Sequence, residues 1–167
     1  MNTANQEQEL CIACGLCCDG SLFEFTPTRL EEQDGFEPAE VGLFKLNDGG
    51  FAISQPCCHL HNKCCEIYQA VRPAICGKYK CKLLKNFLRD EITFSAALEL
   101  IETTLTQRDD IREKLELDVE KRGLNLSDLF KAWTELQTQE SQQTARISEL
   151  SLEYLALQLH LARNFKK

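Results

Sequence analysis

Cys11-Ile12-Ala13-Cys14-Gly15-Leu16-Cys17-Cys18 places four thiols within eight residues. A Cys-x-x-Cys step closes a tight turn in which two thiolates converge on one metal, and Gly15 suits the positive φ that such a turn often needs. Cys17 extends the run to Cys-x2-Cys-x2-Cys, the three-ligand loop of bacterial ferredoxin-type sequences. Those sequences continue with three residues before the next cysteine, whereas here Cys18 follows at once. Adjacent side chains point in different directions. Cys17 and Cys18 therefore serve two neighbouring centres, or one of them lies just outside the ligand shell.

Six further cysteines follow, at 57, 58, 64, 65, 76 and 81, and the chain beyond has none. Ten cysteines in a chain of 167 residues exceed what one tetrahedral zinc can use. An even count also permits a disulfide scaffold. Against it stand the three adjacent pairs and a long cysteine-free second half, unlike a disulfide-dense mini-domain. The polar start, MNTANQEQEL, has neither the basic residues nor the apolar stretch of a signal peptide, and no run approaches the roughly 18 apolar residues of a membrane span. The expected compartment is the cytoplasm, where thiols stay reduced. A formal charge of −7 argues against a large nucleic-acid footprint, which needs net basic surface.

The pattern predicts a small α+β protein. A tail at 1–10 leads into a cysteine-cluster, metal-binding region at 11–90, with a helical region at 91–167. Ser21–Phe25 is strand-like and Thr28–Gln33 suits one helical turn. Phe44–Gln55 reads as two short strands around the turn Asn47-Asp48-Gly49-Gly50. The second cysteine block is a run of metal knuckles, with a helical turn or two at Cys65–Val71 that Pro73 limits. After Asp90 the period becomes helical, and about three helices are expected. Leu98, Ile101 and Leu105 form one stripe, continued by Ile111, Leu115 and Val119. Gly123 is a stop, and Asn125 or Ser127 a cap for the segment carrying Leu129, Trp133 and Leu136. The last segment holds Leu150, Tyr154, Leu157 and Leu161, with Leu152, Leu155 and Leu159 as a second stripe. A helix apolar on two sides predicts burial between neighbours, or self-association or a protein partner through residues 144–167.

The joint cysteine pattern resembles that of the bacterial CxxCxxCC cysteine-cluster family (YkgJ-type), described as zinc- or iron-chelating proteins. The first run carries it, and so does Pro56-Cys57-x2-Leu60, followed by Cys65-x-Ile67-Tyr68-x3-Arg72-Pro73-x2-Cys76-x2-Tyr79-x-Cys81. The resemblance covers roughly residues 11–81. It implies zinc or iron, or an iron–sulfur cluster, held by Cys11, Cys14, Cys17, Cys18, Cys57, Cys65, Cys76 and Cys81. Cys58 and Cys64 fall outside the pattern and read as spare thiols. The family includes relatives of flagellin lysine methylases, but no methylase-specific segment is visible here, so catalysis does not carry over.

Arg72 and Tyr68 are the candidates to touch a bound group. Arg72 would offset thiolate charge or tie a loop. Tyr68 would pack or donate. His59 and His61 read as solvent-facing loop residues, and His160 as a helix-surface residue. Lys78, Lys80, Lys82 and Lys85 make a basic run around Cys81 that reads as a solvated face, and Asp109, Asp110, Glu113, Glu116 and Glu120 as a helix exterior. No Ser–His–Asp arrangement, phosphate loop or dinucleotide fingerprint is visible. Three functions fit: a metal-binding protein; an iron–sulfur redox or protein-modifying enzyme; and a metal-stabilised adaptor acting through its C-terminal helix.

Overall fold

The computed structural model describes residues 3–33, 42–62, 64–70, 72–119, 123–139 and 144–166. Val71, Glu120 and Lys167, which the expectations above include, lie outside them.

The expected N-terminal tail is a helix, α1 (Thr3–Cys14), and so is the start of the first cysteine run. Its sequence is mostly polar. What holds it is Leu10, buried at 2% exposure, together with packing of α1 on later helices. Lys80 adds an ion pair to Glu7 at 2.9 Å. Gly15 ends the helix with φ 61, and its N–H donates to the Cys11 carbonyl at 3.2 Å.

A three-stranded antiparallel sheet follows, built from β1 (Phe25–Thr28), β2 (Leu43–Lys45) and β3 (Phe51–Ser54) in the order β1-β3-β2. Phe25 pairs with Ser54 and Leu43 with Ile53. The hairpin between β2 and β3 turns at Asn47–Gly50 as expected, with Leu46 N–H donating to the Gly50 carbonyl at 2.8 Å. The strand expected at Ser21–Phe25 starts only at Phe25. Ser21 instead donates its N–H to Asp19 Oδ1 at 2.7 Å, a local bend that competes with strand pairing. The helical turn near Gln33 is a 3-10 turn, Leu30–Gln33.

The second cysteine block contains a two-residue ladder, β4 (Leu60–His61) with β5 (Cys64–Cys65), and α2 (Ala74–Lys78). Between them the expected helix at Cys65–Val71 is a pair of successive turns, Tyr68 N–H to the Cys65 carbonyl and Ala70 N–H to that of Ile67. Four helices complete the chain: α3 (Lys82–Leu88), α4 (Phe94–Glu116), α5 (Leu126–Gln139) and α6 (Thr144–Asn164). Thr93 caps α4, its Oγ1 accepting from Ala96 N–H at 3.2 Å. Asn125 caps α5, its Oδ1 accepting from Asp128 N–H at 2.8 Å. The architecture is mixed α+β, with short strands in the first half and the long helices in the second.

One core joins the two halves. Leu10, Leu16 and Leu22 pack with Leu83, Leu84 and Phe87 of α3, and with buried residues of α4, α5 and α6. Trp133 is fully buried and donates Nε1–H to Asp118 Oδ2 at 2.9 Å. Two expectations in this region change, those for Leu136 and His160, and the second stripe of α6 is not buried within the chain. Leu136 does not share the buried face of Leu129 and Trp133; it is exposed. The second stripe of α6, Leu152, Leu155 and Leu159, faces outward, because Leu150, Leu157 and Leu161 already fill the groove over α4. His160 is not a plain surface residue: its Nε2 lies 2.8 Å from Oγ1 of the buried Thr104, tying α6 to α4.

Gly20 marks the join between the cysteine run and α5. Its φ is +82, its carbonyl accepts from Leu126 N–H at 3.3 Å, and a Cβ there would lie 2.5 Å from Asn125 Cβ and 2.9 Å from Asn125 Cα. Those atoms cannot swing away as a side-chain tip would. Gly20→Ala is expected to push the α5 cap off its seat and to lower stability by about 1–3 kcal/mol in a denaturant titration.

Candidate metal centre

The eight cysteines singled out above come to one place. Cys11, Cys14, Cys17, Cys18, Cys57, Cys65, Cys76 and Cys81 all line a single cavity of about 270 Å³. Cys58 and Cys64 do not line it. Neither do His59, His61 or His160. His61 instead stands 3.7 Å from Glu66 at the surface.

Local structure explains each position. On α1, Cys11 and Cys14 are three residues apart and therefore on the same face. The turn after Gly15 carries Leu16 into the core at 0% exposure, which fixes the direction in which Cys17 and Cys18 leave it. Leu16→Ala would open a void directly beneath the thiols. It is expected to cost about 2–5 kcal/mol, read as a fall in the denaturant midpoint. Cys57 donates its N–H to the Cys18 carbonyl at 2.7 Å, which brings the second cysteine block against the first. Leu60 N–H donates to the Cys57 carbonyl at 3.0 Å, and Leu60 pairs with Cys65 across the small ladder. Cys76 lies in α2 just after Pro73. Cys81 caps α3, its Sγ accepting from Leu84 N–H at 3.4 Å.

The rest of the wall is mostly apolar, with Phe23, Ile53, Leu60, Ile67 and Ile75 among its residues. It contains no Asp, Glu, His or Lys among the described residues, and Arg72 is its single charged side chain. Both candidates from the sequence, Arg72 and Tyr68, are in this wall, with the Arg72 guanidinium 4.1 Å from the centre of the Tyr68 ring. Tyr79 also lines it. It meets Phe23 edge-on at 5.2 Å, and burial together with Cys17 and Cys81 pushes its phenol up to about 12. Sequence reasoning assigned Tyr79 no role, although its place two residues before Cys81 was visible.

Burial pushes the thiols up: Cys14 and Cys18 to about 12, Cys11 to about 11, and Cys17 well above the ordinary value. Cys57, Cys76 and Cys81 rise for the same first reason. Cys11 and Cys76 nonetheless reach solvent on one side. For them the packed surroundings and neighbouring thiols matter more than side-chain exposure. Among the described residues, no three Cys, His, Asp or Glu side chains stand close enough together to make a ready-formed metal cage. The sulfurs surround the cavity instead of meeting at a point. With eight thiols, no carboxylate and no imidazole in the wall, the donor set suits soft or borderline metals such as zinc and iron and is unsuited to calcium or magnesium.

A buried ion pair supports the wall from behind. Arg108 of α4 pairs with Asp19, next to Cys18, and its Nε lies 2.7 Å from Asp109 Oδ1. Arg108 also donates from Nη1 to Ser21 Oγ at 3.4 Å. Nothing in the sequence marked this arginine, which sits within what reads as an acidic helix exterior.

The family model of the CxxCxxCC group, described as "Putative zinc- or iron-chelating domain", matches residues 10–111. The chain belongs to this family. The match takes in every cysteine and reaches into α4 as far as Arg108 and Ile111. No curated protein and no solved structure matched the chain. No helix among the described residues is long and apolar enough to cross a membrane.

Proposed function

We propose that this protein binds zinc or iron through the eight cysteine thiolates around the cavity. The observation that carries the reading is selective convergence. From two sequence blocks about forty residues apart, the fold gathers eight of the ten cysteines around one cavity and leaves Cys58 and Cys64 outside. Bound thiolates would be compensated on the protein side by Arg72, which favours the ionised forms of Cys11 and Cys76. Cysteine sulfur supplies strong ligation to either metal, and four thiolates are a common complement for zinc and for iron–sulfur clusters.

Elemental analysis of protein purified without oxygen, with its absorption spectrum, tests the reading. Bound zinc or iron is expected. Cys14→Ser and Cys76→Ser are expected to lower the metal-to-protein ratio, while Cys58→Ser leaves it unchanged. Visible absorption with matching acid-labile sulfide would assign an iron–sulfur cluster; colourless protein carrying zinc would assign a plain thiolate site. Wild-type ratios in both Cys14→Ser and Cys76→Ser would sink the proposal.

A further inference from the structure

We infer that the outward face of α6 is a self-association surface, on which a second copy of this chain lays its own α6 antiparallel about a two-fold axis. The inference stands apart from the metal-binding reading above.

The face is apolar and regular. Leu152, Leu155 and Leu159 are 66%, 54% and 64% exposed. Their spacing of three and then four residues puts them in one stripe, of the kind that seams two helices together. Exposed leucines gathered in a line, unlike ones scattered singly, mark an interaction surface. The stripe does not come from a poorly seated helix, because α6 already packs on the core through Leu150, Leu157 and Leu161. Ala156 is exposed beside the stripe and is small enough to let another backbone come close.

The charges say what covers this face. Glu149 and Arg163 are both exposed, and each lies seven residues from Ala156, one on either side. Seven residues are close to two turns, so the three positions share one flank of the stripe. Neither charge has an ion partner among the described residues, whereas Glu153, turned towards α4, meets Lys114 at 2.7 Å. A second α6 laid antiparallel, with the two-fold axis beside Ala156, puts Glu149 of each copy next to Arg163 of the other. The leucines then meet leucines between these charges. A parallel pairing in register would instead set Glu149 against Glu149 and Arg163 against Arg163. The face is therefore complementary to itself in one orientation, as an isologous two-fold contact requires.

Sedimentation equilibrium of the full chain tests this, with reductant present because the exposed Cys11, Cys64 and Cys76 could otherwise crosslink copies. A face one helix wide is smaller than the roughly 800 Å² per partner of a standard interface, so the mean mass is expected to climb from one chain towards two as the concentration reaches about 0.5 mM. A mass that stays at one chain would overturn the proposal. If that single chain bound vesicles of phosphatidylglycerol, the face would belong to a lipid surface instead. Leu155→Glu is expected to abolish pairing and to leave the melting temperature of the monomer unchanged, since the side chain already faces water. Pairing that survives this substitution would place the contact elsewhere. The charges give a second readout. Glu149→Arg alone is expected to weaken pairing severalfold, and adding Arg163→Glu to it is expected to restore the wild-type strength. Pairing indifferent to the single reversal, or not restored by the double one, would overturn the antiparallel arrangement.

Discussion

Replacing Arg108 with methionine is expected to cost about 3–5 kcal/mol, the usual penalty for leaving one partner of a buried ion pair uncompensated. The side chain is 6% exposed and Asp19 only 15%, so water cannot take over the carboxylate's charge. Burial lowers the Arg108 pKa, and Asp109 is the first group that opposes the shift. Because Asp19 follows Cys18 directly, the damage should reach the loop side of the cavity. Denaturant unfolding gives the stability loss. The discriminating control is the double variant Arg108→Met with Asp19→Leu, which removes both charges and should recover much of it. A double variant no more stable than the single one would show that the pair's charge is not what the fold depends on.

Metal-free protein is expected to lose stability steeply as the pH rises above about 9, and metal-loaded protein is not. The ordinary thiol value is 9.0, and Cys14 and Cys18 are pushed up to about 12, first by burial. A group whose folded-state pKa is raised stabilises the fold below its unfolded value, and that stability disappears as the pH climbs through the folded value. For these thiols the window runs from about 9 to about 12. Each tenfold weakening of a thiol as an acid on folding corresponds to about 1.4 kcal/mol, so two such thiols place several kcal/mol at risk, on the order of the whole stability of a small domain. Metal reverses the sign, because it binds the thiolate and must displace a proton at neutral pH. Affinity should therefore rise with pH, and acid should strip the site. Melting temperatures with and without chelator at pH 7 and pH 10.5 check both parts. A chelated protein that melts equally well at the two values would contradict the burial of these thiols.

Local signals in the sequence were reliable where they were complete in themselves. The Asn47–Gly50 turn, the Asn125 cap and the buried faces through Ile101, Ile111, Leu115, Leu157 and Leu161 depend on residues within a turn or two of one another. What was not legible depends on distant partners. The segment from Thr3 reads as a polar tail because among its described residues Leu10 alone is deeply buried, and the helix becomes worthwhile only when later helices cover it. The two-residue ladder at Leu60–Cys65 is too short to leave a periodicity. The candidate site divides in the same way. The family resemblance singled out the eight cysteines, while the pairing of Arg108 with Asp19 becomes visible only once α4 and the cysteine run are seen side by side.

The two walls of the cavity are held with unequal firmness, and the difference would appear in time. Cys14, Cys17 and Cys81 lie against the hydrophobic core, whereas the described residues from Cys57 to Cys76 lie in turns, a two-residue ladder and the start of α2. Segments with little apolar packing open locally at far lower free energy than the core does. Without metal, backbone amides of the described residues between 57 and 76 would exchange with deuterium long before those of α4. A protease meeting such a chain would find its first cleavable site there, so an unloaded molecule would be clipped on the loop side and leave a protected helical remnant.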